Sequence, residues 1–114
     1  MSVPRRGEIW LADFGIPVGR EQGLRRPALI VSGDRVNAGA GGVVIVIPIT
    51  SRGRGMPLHV EIDSAESGLD LTSYVRCEDI RSVSMERLIV KLGGAPVDAM
   101  FRVEQVMRWV LGLA

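Results

Sequence analysis

The residues best placed to do chemistry form one run, Gly19-Arg20-Glu21-Gln22-Gly23-Leu24-Arg25-Arg26-Pro27, leading into the apolar Ala28-Leu29-Ile30-Val31-Ser32. Guanidinium groups, a carboxylate and mobile glycines meet there at the mouth of a buried strand. Arginine forks match phosphate oxygens in charge and geometry, so the run suits a nucleic-acid backbone. Arg5-Arg6-Gly7-Glu8-Ile9-Trp10 before it and Ile47-Pro48-Ile49-Thr50-Ser51 after it complete the set. Cys77 and His59 are the only residues of their kinds. One chain therefore forms neither an internal disulfide nor a thiolate metal cage, and it cannot supply two histidines as acid and base. Catalysis is expected to fall to Arg, Glu, Asp, Thr or Ser.

These groups have to be positioned by strands. Pro27 holds Arg26 in extended backbone at a strand entrance. Pro48 limits pairing after the apolar run 43–47 and leaves Ile49-Thr50-Ser51 at its exit. An antiparallel hairpin across Gly33 to Gly42, with Ser32 opposite Val43, sets Arg26 near Ile49 and Arg25 near Thr50. Facing residues in such a ladder lie ~4.5–5.5 Å apart, within reach of a long arginine. The expectation is one of proximity, because a slip of one residue changes which side chain points where.

Glu8 to Asp13 reads as a first strand and Gly15 to Gly23 as a long loop. Ala28–Ser32 and Val43–Ile47 are continuous apolar runs, as strands buried on both faces tend to be. Leu58 to Asp63 alternates as a half-buried strand does. Thr72–Cys77, Ile80–Val83 and Leu88–Leu92 are shorter strands, with a helical turn at Ser84 to Arg87. From Pro96 the period becomes helical: Val97, Met100, Val103, Met107 and Val110 form a stripe that Ala99, Phe101, Val106 and Trp109 widen. So apolar a helix should be covered by the sheet and by a second chain. The expected fold is mainly β, a small twisted barrel-like sheet with a C-terminal helix, in one domain spanning 1–114.

Residues 1–54 carry eight Arg against four acids, and residues 55–114 carry six Arg or Lys against nine acids. The basic excess thus sits in the half that holds the long loops, which is compatible with phosphate binding there. No apolar run approaches the ~20 residues of a membrane span, and charges at Arg5, Arg6 and Glu8 interrupt any secretory apolar region. The expected compartment is the cytoplasm.

Taken together, Arg-Gly-Glu-Ile-Trp at 6–10, Gly-x-Glu-Gln-x-x-x-Arg-Pro at 19–27 and Pro-x-Thr-Ser at 48–51 resemble the MazF/PemK family of toxin endoribonucleases across nearly the whole chain. The resemblance implies a homodimer that cuts single-stranded messenger RNA at short sequences without a metal ion or other cofactor. It also implies an antitoxin whose acidic C-terminal tail occupies the RNA groove. By position it implies Arg26, Thr50 and Glu21 as the catalytic set. The PemK-like branch adds an arginine and an acid: Arg76 fits the arginine, and Glu78 stands where that branch has an aspartate. Its first-loop histidine is replaced by Arg20.

Such cleavage uses the adjacent 2′-hydroxyl as nucleophile and needs proton transfer and stabilisation of phosphorane charge. Arg26 suits the charge and Thr50 a hydrogen bond to phosphate, with Glu21 or Glu78 as base. Bases in single-stranded RNA stack on aromatics or guanidinium planes. With only five aromatic residues, the RNA-binding set is expected to be Arg20, Gln22, Arg25, Arg52 and Arg54, with Ser51 beside them.

Plainer readings stand beside these. Thr50-Ser51 would serve as turn residues, and Arg76 with Glu78 or Asp79 as an ordinary ion pair. Trp10 and Met85, Met100 and Met107 read as core, His59 as exposed and structural, and Cys77 as a packing residue. Two other functions compete. One is a non-enzymatic gyrase poison of the CcdB type, whose Trp-Gly-Ile ending is absent from Trp109-Val110-Leu111-Gly112-Leu113-Ala114. The other is an RNA-binding relative without catalysis, against which Arg26 and Thr50 speak.

Overall fold

Alternation along the first strand decides the architecture. The computed structural model describes residues 3–20, 23–53 and 55–113. In β1 (Glu8–Asp13) the side chain of Ile9 enters one core and those of Trp10 and Ala12 enter another. Strand β2 (Arg25–Ile30) divides in the same way, Leu29 to the first core and Ala28 and Ile30 to the second. So does β3 (Val43–Thr50), with Ile47 and Ile49 against Val44 and Val46. Burial on both faces explains why the two runs are apolar throughout, although the sheet is antiparallel.

After a single helical turn α1 (Asp34–Asn37), β3 leads to β4 (His59–Ile62), a second turn α2 (Ser64–Ser67) and β5 (Ser73–Arg76). A 3₁₀ turn at Cys77–Asp79, β6 (Arg81–Ser84), a 3₁₀ turn at Met85–Arg87 and β7 (Leu88–Gly94) precede helix α3 (Val97–Val110). The strand order is β4-β5-β3-β2-β1-β7, with β6 also paired to β3. The mainly-β, antiparallel sheet with a C-terminal helix is thus present. Among the described residues β4 and β7 end the path without a ladder between them, so the sheet does not close into a barrel.

The outer edge of β3 is shared. Its first half, Val43 to Val46, pairs with β6, and Ile49 and Thr50 pair with β5. Pro48 lies in the interval between the two ladders, where a residue without an N–H interrupts least. The expectation that Pro48 would end the strand is therefore corrected: β3 runs through it. The β2–β3 register is corrected as well. Ala28 faces Pro48, so the same register sets Arg26 opposite Thr50, one residue from the expected pairing.

Helix α3 lies on the first core through Ala99 and Val103, with Met100, Val106, Met107 and Val110 packed around them. Arg102 donates to the Glu61 carbonyl at 3.2 Å, tying α3 to β4. Val97, expected on the inner stripe, is exposed at the helix's first turn, as are Phe101 and Trp109 further along. Among the described residues no helix is long and apolar enough to cross a membrane. One close approach is demanding: a Cβ on Gly93 of β7 would come within 2.0 Å of the Ser67 carbonyl oxygen.

Candidate functional site: an arginine-lined cleft

The second core does not fill its face of the sheet from end to end. Thr50 continues the face of Val44 and Val46, and Arg26 continues that of Ala28 and Ile30. On β5 and β4 the ladder pairs His59 with Arg76, and Thr50 with Tyr74. Paired residues project to one side, so Arg26, Thr50, Arg76 and His59 form neighbouring positions on one surface. There a cleft of about 770 Å³ is lined by Arg20, Arg26, Thr50, Arg52, Met56, His59, Arg76 and Glu78.

Several lining groups have an identifiable support. The loop leading to Arg26 is pinched at its neck, with Phe14 donating to the Leu24 carbonyl at 2.9 Å and Leu24 to that of Gly15 at 2.6 Å. Leu24 takes a left-handed φ of 62°, an uncommon conformation for a branched residue and typical of constrained sites. Arg26 donates from Nε to the Gly23 carbonyl at 3.4 Å, and its outer guanidinium nitrogens extend beyond that contact. Thr50 Oγ1 accepts from the Arg52 amide at 3.1 Å. The turn reading of Thr50 is therefore correct in itself, and the turn fixes an oxygen whose own proton can still be donated. The backbone next to Arg52 passes close to an aromatic ring: a Cβ on Gly53 would fall 2.2 Å from Tyr74.

Across the cleft, His59 Nε2 meets Glu78 Oε2 at 3.0 Å, and Arg76 approaches the same oxygen at 3.7 Å. The His59 side chain is only 6% exposed, against 20% for Arg76 and 27% for Glu78. His59 is thus not the exposed residue expected from the polar phase of its strand. That phase marks which face a side chain takes, and here the face is a cleft wall. His59 and Met56 are the lining residues the sequence reading missed. A histidine flanked by Leu58 and Val60 in an alternating strand gave the only hint.

The remaining candidates separate. Arg25 lies opposite Asp13 in the ladder, with its guanidinium 4.0 Å from that carboxylate, and it does not line the cleft. Ser51 is exposed and also outside the lining. Glu21, Gln22 and Arg54 lie outside the described residues. Cys77 is buried, and burial, then the Glu78 charge, pushes its thiol up to about 12. It is a core residue, as expected.

The arginines at the amino terminus serve the architecture. Arg6 bonds the Val31 carbonyl and Glu104 of α3. Burial pushes the Glu8 carboxyl up, but the Arg5 amide, the Trp10 indole and Lys91 together hold it below the usual range. Among the described residues no three His, Cys, Asp or Glu side chains gather as a metal site would require. A larger, more open hollow of about 910 Å³ at the start of α3 is lined by Glu66, Ala95, Pro96, Val97, Asp98, Phe101 and Arg102. There Arg102 is paired with Asp98 at 3.2 Å, so the cleft on the other face concentrates the available charge.

Residues 5–111 match the family described as PemK-like, MazF-like toxin of type II toxin–antitoxin system. Endoribonuclease MazF9 of Mycobacterium tuberculosis is 34% identical over 114 residues, covering 96% of this chain and 97% of its own. Endoribonuclease EndoA of Bacillus subtilis is 30% identical over 112 residues, covering 97% of each. Among solved structures, MazF (Form-I) from Deinococcus radiodurans has a TM-score of 0.87 at 32% identity, covering 99% of this chain and 100% of that one. A mycobacterial endoribonuclease in complex with its cognate antitoxin has a TM-score of 0.78 at 25% identity, covering 100% and 98%.

Proposed function

Because the chain belongs to the PemK-like, MazF-like toxins of type II toxin–antitoxin systems, we infer that it is an endoribonuclease that acts as a toxin by cutting single-stranded messenger RNA. One observation carries the reading at the level of chemistry: Arg26, Thr50 and the Arg76–Glu78 pair, from three separate segments, line one cleft.

The 2′-oxygen attacks phosphorus and the 5′-oxygen leaves, giving a cyclic phosphate and a free 5′-hydroxyl. Arg26 stabilises the charge that accumulates on the phosphorane, and Thr50 donates a hydrogen bond to the same phosphate. Glu78 takes the 2′-hydroxyl proton, with Glu21 the other carboxylate for that role. Arg76 holds Glu78 and faces the reacting phosphate. Arg20 and Arg52 bind flanking phosphates, and Gln22 and Arg54 are further candidates for contact with the RNA. Ser51 and Arg25 take outer contacts with the chain.

The same reading takes the curled, two-cored sheet as the barrel-like scaffold of this toxin type. Exposed Val97, Phe101 and Trp109 support a second copy covering α3 in a homodimer. Relatives solved with their antitoxins support a cognate antitoxin as partner, with an acidic tail suited to an arginine-lined cleft. The cytoplasm is where such a substrate and partner meet. A gyrase-poison reading gains nothing from these relatives, which are named as endoribonucleases.

The test is incubation of pure protein with a long single-stranded RNA and a chelator. Discrete fragments ending in cyclic phosphate are expected from the wild type. Arg26→Ala should fold alike by circular dichroism and lose ~10²–10³ in rate. Wild-type cleavage by that variant would remove Arg26 from the centre of the mechanism.

A further inference from the structure

The structure leaves one buried cluster on the cleft wall with polar groups unaccounted for. His59 Nδ1, Arg76 Nε and Glu78 Oε1 are all buried without a hydrogen-bond partner among the described residues. A purely structural ion pair is not built in this way, because each unmet buried group works against folding and calls for a functional reason. Packing gives no motive for burying an imidazole here either: β4 already fills the core with Val60 and Ile62. Among the described residues the partner of the His59 ring is Glu78, reached through Nε2 at 3.0 Å.

We propose that His59 is a positioning residue for RNA cleavage, its ring fixing the Glu78 carboxylate so that Glu78 accepts the proton of the attacking 2′-hydroxyl. The proposal rests on the endoribonuclease reading and adds to it a group from a strand to which no role was assigned. The groups facing the pair are Arg76 from β5, Arg26 from β2, Thr50 and Arg52 at the end of β3, and Arg20 from the first loop. Among the described residues that line the cleft, the charged side chains beside His59 and Glu78 are arginines. His59 contributes direction: with its proton on Nε2 the ring holds Oε2, and a side chain only 6% exposed has little freedom to swing away.

In the step, the 2′-oxygen to phosphorus bond forms and the phosphorus to 5′-oxygen bond breaks. The 2′ proton passes to Glu78, the 5′-oxygen takes a proton from water, and Glu78 returns its proton to solvent afterwards. His59 touches none of the reacting atoms.

The experiment measures kcat and KM at neutral pH for the wild type, His59→Leu, His59→Gln, Glu78→Gln and the Glu78→Gln/His59→Leu double variant, on one long single-stranded RNA. His59→Leu should lower kcat by roughly 10- to 100-fold, less than the ~10²–10⁴ that a general base supplies, with KM nearly unchanged. His59→Gln keeps a donor and should recover most of kcat. In the Glu78→Gln background the His59→Leu change should add almost nothing.

His59→Leu with wild-type kcat overturns the proposal. So does a loss that glutamine fails to rescue, or one that is as large in the Glu78→Gln background as in the wild type. If His59→Leu does not fold, His59→Gln decides alone: near-wild-type kcat supports the proposal, and a loss as deep as that of Glu78→Gln refutes it. If the wild type leaves RNA intact, the endoribonuclease reading fails and takes this proposal with it. If the wild type cuts RNA, Arg26→Ala does not, and the His59 variants behave as wild type, only this proposal fails.

Discussion

At the scale of residues, the cleft shows how one side chain can satisfy a plain role and a chemical one together. The Thr50 oxygen receives a backbone amide and still carries a proton to give. Arg76 and Glu78 do form an ion pair, yet it stands on a cleft wall and includes a histidine. Cys77 lies next to Glu78 in sequence but faces the opposite core, which is why it is silent. Burial and the adjacent carboxylate hold its thiol protonated, and the thiolate is the reactive form. A thiol-specific reagent at about pH 8 should therefore leave native Cys77 unmodified and label it fully in denaturant. Rapid labelling of the native protein would contradict this placement.

At the scale of elements, α2 and β7 approach each other closely. Adding one methyl at Gly93 drives a Cβ into the Ser67 carbonyl, so Gly93→Ala should cost about 1–3 kcal/mol by overpacking, read from denaturant melts. Gly33→Ala is the matched control, since a Cβ there meets nothing within 4 Å and φ is −65°. Equal stability of the two variants would refute the close approach. Elements long enough to show a period were legible in the sequence: β1, β4 and α3 fall close to where alternation and helical spacing put them. Turns α1 and α2, of four residues each, are too short to show any period. Pro48 misled because sequence alone does not reveal that β3 changes partners along one edge. The one-residue register error followed from anchoring the hairpin on Ser32 and Val43, far from the pairs that form. His59 was misplaced because alternation separates two faces without saying which of them meets solvent.

At the scale of the whole molecule, net charge is nearly balanced at +1, so attraction to RNA has to be local. Arg20, Arg26, Arg52 and Arg76 gather at the cleft. If three or four of them each neutralise one phosphate, log K for single-stranded RNA should fall against log salt with a slope of about −2 to −3. A slope near zero would mean that backbone phosphates are not what the cleft holds. The same molecule leaves part of α3 uncovered, and its two tryptophans sit in opposite surroundings: Trp10 is 3% exposed and Trp109 is 70% exposed. Indole emission follows the polarity around the ring, so the chain carries two internal dyes of different colour. Melting wets the first and reddens the light, whereas any chain settling on the helix dries the second and turns it bluer, so loss of fold and gain of company move the spectrum in opposite directions.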